Sequence, residues 1–246
     1  MRVTPKKVAV LFAFASCMLL ASAAPKAAVP TVDQILDKYL TALGGRAALL
    51  KITSRVASGT IEVPAAGATG TFQLWAKAPN KMASVIHLEG LGDVKQGCDG
   101  KIAWELYPQS GVRELSGQEF STMLRSATFY APIHIRELYG KLTLKGTIPV
   151  DGKDAWLIES EPGDGSFVQM YFDAQSGLLV RRDLESTGLE GHATTESFYS
   201  DFREVDGIKL PFIMKQVGAN NPYTLTFQEY KDNVPLDDAL FARPTK

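Results

Sequence analysis

Turn dipeptides recur along this chain at short intervals. Asp99-Gly100, Asp151-Gly152, Ser176-Gly177 and Asp206-Gly207, together with Gly163-Asp164-Gly165, separate runs in which apolar and polar residues alternate. Alternation with a period of two puts every second side chain on one face of a strand, and Asp-Gly is a strong hairpin signal. The pattern predicts strands at Ser54–Val63, Thr69–Lys77, Lys81–Glu89, Asp93–Cys98 and Lys101–Tyr107. It resumes at Lys141–Val150, Asp154–Glu161, Phe167–Phe172, Leu178–Leu184, Ala193–Arg203, Ile208–Val217 and Tyr223–Lys231. Regularly spaced strands joined by turn chemistry imply an antiparallel sheet rather than βαβ units.

Helical signals are few. Thr31 has the character of an N-cap, and Ile35, Leu36, Tyr39, Leu40 and Leu43 follow at helical spacing until Gly44-Gly45. Arg46–Ile52 reads as a second short piece. Ser116 and Glu119 have capping-box spacing ahead of Phe120, Met123 and Leu124, and Ile133–Tyr139 reads as a further turn or two.

The strands have one apolar side. Phe72 and Leu74 share a face, Ile86 and Leu88 flank an outward His87, and Tyr223, Leu225 and Phe227 oppose Thr224 and Thr226. A sheet apolar on one face needs a cover. The predicted fold class is therefore mainly β (α+β). It is a strongly curved antiparallel sheet or incomplete β-barrel, covered by a few helices.

Residues 1–23 stand apart from that fold. Arg2, Lys6 and Lys7 precede an apolar run from Val8 to Leu20. At 13 residues that run is shorter than the roughly 18 of a membrane span. Ala21-Ser22-Ala23 then offers the small residues of a signal-peptidase site, with the cut after Ala23. A second reading takes Phe14-Ala15-Ser16-Cys17 as a lipoprotein signal, with lipid on Cys17. Residues 24–30 read as a flexible lead, and 31–246 as a single domain. The expected location is the periplasm, and the chain is not expected to be an integral membrane protein.

Losing Arg2, Lys6 and Lys7 lowers Lys and Arg from 26 to 23, against 27 Asp and Glu, a net charge of −4. That balance argues against a nucleic-acid partner, which calls for a basic face. Cys98 is then the one cysteine left, so no internal disulfide forms, and stability must come from an apolar core.

The signatures of common catalytic sites are missing: no GxSxG, HExxH, P-loop or GxGxxG occurs. His192 and Glu196 have metal-compatible spacing on a helix, but on a strand they lie about 13 Å apart. Cys98 lacks a nearby histidine and reads as a structural thiol. Gly44-Gly45-Arg46 reads as a helix stop and start, and Asp151, Asp154, Asp173 and Asp183 as turn carboxylates. No cofactor and no metal are expected, and the chain is not expected to be an enzyme.

Five segments carry a family resemblance. TVDQILDKYLTALGGRAALLKITSRVASGTIE (31–62) resembles the start of exported proteins of the LolA/LolB-like lipoprotein-carrier superfamily. CDGKIAWELYP (98–108), YFDAQSGLLVRRD (171–183) and YSDFREVDGIKLPF (199–212) resemble its later strands, and VPLDDALFARP (234–244) its ending. The resemblance lies with the uncharacterised, sorting-protein-like branch. It implies an incomplete β-barrel closed by helices, with a hydrophobic cavity for the acyl chains of lipoproteins or other lipids. With the one-sided strands, it points to Phe72, Leu74, Ile86, Leu88, Trp104, Trp156, Leu225 and Phe227 as cavity residues. The expected partner is a lipid or an acyl chain of a lipoprotein. The alternative is a protein-binding or sensory envelope module on the same fold.

The segment 199–212 poses a local problem. A two-residue turn at Asp206-Gly207 pairs Glu204 with Lys209. It also sets Asp201 and Arg203 on the face of Leu210 and Phe212. Pro211 favours a β-bulge that rotates the two charges outward, and mutual pairing beside the cavity is the alternative.

Overall fold

A computed structural model describes residues 28–188, 191–218 and 222–245. The signal sequence, its cleavage site and Cys17 lie outside the described residues. The side chain of His192 does as well, so the pairing of His192 with Glu196 does too.

Among the described residues, thirteen antiparallel strands form one open sheet. They are β1 (Ser54–Val63), β2 (Ala68–Lys77), β3 (Lys81–Leu88), β4 (Gly92–Cys98), β5 (Ala103–Tyr107), β6 (Gly111–Glu114), β7 (Lys141–Val150), β8 (Lys153–Glu161), β9 (Phe167–Asp173), β10 (Leu179–Gly188), β11 (Gly191–Val205), β12 (Ile208–Gly218) and β13 (Tyr223–Asp232). The helices are α1 (Val32–Ala42), α2 (Arg46–Leu49), α3 (Gly117–Ala127) and α4 (Ile135–Tyr139). The strand order is β6-β5-β4-β3-β2-β1-β13-β12-β11-β10-β9-β8-β7. Every neighbouring pair is a hairpin except β1 with β13, which joins the two ends of the fold. The outermost strands, β6 and β7, are linked by residues 115–140, which carry α3 and α4.

Simple lengths show that the sheet curls. Helix α3 touches β3, β4 and β5, and it also touches β10. In a flat sheet β3 and β10 would be six strand spacings apart, or about 29 Å. An 11-residue helix is about 16 Å long. One short helix reaches both because the sheet wraps around it.

The concave face holds three apolar clusters. Over β7 to β10, α1 and α4 set Ile35, Tyr39 and Ile135 against Ile158, Met170 and Phe172. Ile158 and Phe172 are fully buried, each contributing about 1.5–3 kcal/mol. Under α3 lie Cys98, Ala103 and Met82. The third cluster, around Phe72, needs no helix above it.

Local chemistry sets the element ends. Thr31 and Gln34 form a reciprocal capping box, with bonds of 3.2 and 2.9 Å. The Asp151-Gly152 and Asp206-Gly207 turns have positive φ at both residues, as tight hairpins require.

Four expectations are corrected. Ser116 caps α3 by position, but its side chain makes no cap bond. Glu119 binds Arg113 instead, at 2.7 Å, and Arg113 also binds Glu105 at 2.6 Å. The Asp99-Gly100 turn is longer than two residues, because Cys98 pairs with Ala103. Asp99 Oδ1 accepts from the Lys101 and Ile102 amides, both at 2.8 Å, which widens the turn and delays β5. Strand β6 was not anticipated.

The last correction concerns Asp201. No residue is inserted, since Ser200–Ile213 and Phe202–Pro211 keep one register. Asp201 instead takes φ 52 and pairs with Arg203 (Nη2 to Oδ2, 2.5 Å), whose guanidinium lies 4.3 Å from the Phe212 ring centre. Glu204 stands opposite Lys209 as expected, although no ion pair joins them among the described residues.

Candidate functional site

The β11–β12 hairpin extends past the sheet and folds back over α1. The Lys209 amide donates to the Leu43 carbonyl at 2.9 Å. Gly44 makes this contact possible. It has φ +116, and a Cβ there would stand 2.1 Å from the Gly207 oxygen. The helix stop is therefore also a docking point.

Beneath the hairpin is a cavity of about 280 Å³. Tyr39 and Leu43 of α1 form one wall, and Ile135 and Tyr139 of α4 another. Met170, Leu179 and Arg182 form the sheet side. Phe202, Ile208, Leu210 and Pro211 of the hairpin cover it. The size is just below the roughly 300–1,000 Å³ of small-molecule sites.

Its polar groups are few and mostly committed. Arg55 is held by Asp232, with bonds of 2.6 and 2.9 Å. Arg182 reaches the cavity from β10 beside Tyr139 and Tyr199, with Tyr223 nearby. Burial, followed by the neighbouring Tyr199 and Tyr139, pushes the Tyr39 phenol well above its ordinary range. Burial and the neighbouring Tyr199 push the Tyr223 phenol up to about 12. Both phenols therefore stay protonated at physiological pH.

The eight residues singled out in the sequence fall into separate places. Phe72, Ile86, Leu88, Leu225 and Phe227 come together on the concave face with Ile61, Val63 and Ala68. There Phe72 and Leu225 are buried and Ile86, Leu88 and Phe227 half-buried, with Phe72 edge-on to Phe227 at 4.9 Å. Leu74 shares their face, paired with Ala57 and Ser84, and is half-buried. Trp156 packs beside α1 and borders a separate cavity of about 390 Å³ with Phe172, Ile35 and Val29.

Trp104 lies on the other side of the sheet. Its neighbours Ala103 and Glu105 face α3, so alternation turns the indole to the convex face. There its N–H donates to the Phe241 carbonyl at 3.0 Å, beneath the C-terminal turn. None of the eight lines the cavity under the hairpin.

The lining residues that sequence reasoning passed over were partly in view. Phe202, Ile208, Leu210 and Pro211 belong to the segment YSDFREVDGIKLPF. Arg182 was hidden by its neighbour, since two adjacent arginines look alike until the register assigns each a face.

The remaining candidates are ordinary supports. Cys98 is fully buried, and burial pushes its thiol up. Asp173 accepts from the Gln175 and Ser176 amides at 3.2 and 2.6 Å, closing a turn. Asp183 is buried on the convex face between Arg181 and the Tyr171 hydroxyl. Among the described residues no group of His, Cys, Asp and Glu is placed to hold a metal ion, and no helix is long and apolar enough to cross a membrane.

No protein-family model matches the sequence, and comparison with curated proteins likewise gives no match. Solved structures do match. A DUF1329 family protein from Desulfovibrio piger is 17% identical, covering 87% of this chain and 98% of its own, with a TM-score of 0.57. A LolA superfamily protein from Nitrosomonas europaea is 16% identical over 87% of this chain and 99% of its own, with a TM-score of 0.58. An outer membrane lipoprotein-sorting protein domain from Vibrio parahaemolyticus is 10% identical over 85% and 94%, with a TM-score of 0.56. An open, curled antiparallel sheet with helices on its concave side, matched over nearly the full length of these structures, is a LolA-like fold.

Proposed function

We propose that the protein is a periplasmic binder or carrier of lipids, acyl chains or lipoproteins. The observation that carries this reading is the apolar cavity of about 280 Å³ between the β11–β12 hairpin, α1 and α4. A LolA-like fold supports it, as does the description of one similar structure as a lipoprotein-sorting domain. Binding is reversible burial, with each methylene contributing about 0.8 kcal/mol, and no covalent step is involved. Residues 1–23 act as the export signal, and 31–246 work as one domain.

A second reading is a protein-binding envelope module. The packing of Phe72 against Ile61, Leu225 and Phe227 favours it, because these side chains fill part of the concave face.

Native mass spectrometry after gentle purification tests the first reading. The expected result is a co-purifying lipid mass. Absence of bound lipid, together with failure to take up a fluorescent fatty acid, contradicts it. A protein partner captured by crosslinking in the envelope, with no lipid present, supports the second reading.

A further inference from the structure

Arg182 is the group that an acyl-chain cavity leaves unexplained. It pairs in register with Met170 of β9 and Ser197 of β11, on the concave face. The other arginines of the sheet each hold a carboxylate: Arg55 with Asp232, Arg113 with Glu105 and Glu119, Arg181 with Asp183, and Arg203 with Asp201. Among the described residues Arg182 has no such partner. The nearest candidates in sequence are engaged elsewhere, since Arg181 takes both Asp183 and Glu196 on the opposite face.

The groups around Arg182 are phenols. Tyr139 and Tyr199 line the cavity with it, and Tyr223 lies near. A guanidinium offers five N–H donors in a planar fork. Phenol oxygens can accept from some of them, but a hydroxyl is not the counter-charge that a carboxylate supplies. A cation held against apolar walls without a counter-charge is unfavourable. A ligand anion with two oxygens would match the fork and remove that penalty.

We infer that the cavity takes a single-chain amphiphile with an anionic oxygen head, a carboxylate or a phosphate monoester. Its oxygens sit on Arg182 beside the Tyr139 and Tyr199 hydroxyls, and its chain lies against Met170, Phe202 and Ile208. This inference rests on the acyl-chain reading above and adds the chemistry of the head.

Calorimetric titration of the protein with dodecanoate, dodecyl phosphate and dodecanol tests it. At least one anion should bind about 30-fold more tightly than the alcohol, equivalent to about 2 kcal/mol at about 1.4 kcal/mol per decade. The tighter of the two anions identifies the head. Arg182→Met should bring the three affinities together. If the alcohol binds the unaltered protein as tightly as both anions, the inference is overturned while the acyl-chain reading stands. If none of the three binds, both are overturned. The comparison on the unaltered protein decides the matter even where the substituted protein fails to fold.

Discussion

The Lys209 amide reaches the Leu43 carbonyl at 2.9 Å, and this bond joins the tip of the longest hairpin to the end of the first helix. The contact turns the projecting tip of a central hairpin into a roof. Without it, Phe202, Ile208 and Leu210 would have no helix opposite them, and the cavity would lose one side.

Gly44 is the residue that permits the contact, so Gly44→Ala should disrupt it. The new Cβ would collide with backbone at the Gly207 oxygen, in a conformation that L-residues rarely adopt. We expect a loss of roughly 1–3 kcal/mol in stability, read as a lower urea midpoint. Bound acyl probe should be released as well. A substitution with unchanged stability and unchanged probe binding would show that the tip is not seated as described.

Phe72 separates packing from binding. It is buried among Ile61, Leu225 and Phe227 rather than on the cavity. Phe72→Ala should cost about 3–5 kcal/mol of stability through the void it leaves. At temperatures where the protein stays folded, affinity for an acyl probe should be close to that of the unaltered protein. A stable Phe72→Ala protein that no longer binds would place the ligand in the Phe72 cluster instead.

Arg125 on α3 fastens the helix to the β8–β9 turn. It lies 2.5 Å from Asp164, whose carboxylate also accepts from the Ser166 hydroxyl at 2.6 Å. Burial alone would raise the Asp164 pKa. The bonds from Ser166 and Arg125 more than offset that, so the group sits below its ordinary range. A carboxyl depressed in the folded state stabilises the protein above its unfolded value of about 3.9, and loses that contribution as pH falls through the folded value. Urea midpoints should therefore fall below about pH 4. Asp164→Asn should lower stability at neutral pH by roughly 1.5–3 kcal/mol and flatten the acid decline. An unchanged acid profile in Asp164→Asn would remove this pair from the account.

Much of this architecture was legible locally. The bounds of β1 and β7 follow from alternation and turn residues alone, and Gly44-Gly45 ends α1 where its spacing says it should. The apolar face of β2, β3 and β13 was also readable, because Phe72, Ile86 and Leu225 alternate with polar residues. What could not be read was which part of that face stays open. That depends on where residues 115–140 cross the sheet and on the hairpin tip meeting Gly44, and both are long-range contacts. Trp104 shows the same limit. In Ala103-Trp-Glu-Leu-Tyr107 the indole reads as the natural inward residue, yet Glu105 takes the concave side, where Arg113 bonds it, and alternation sends Trp104 outward. Asp201 is the converse case, where a positive φ turns the chain without breaking the register.

The proposed function places an acyl chain under the β11–β12 hairpin. Photo-crosslinking with a diazirine-bearing fatty acid, followed by peptide mapping, tests it most directly. Adducts are expected on the segments 199–212 and 131–139, suppressed by an excess of unlabelled fatty acid. Adducts confined to the Phe72 cluster or to the convex face, or labelling that competitor does not reduce, would contradict it.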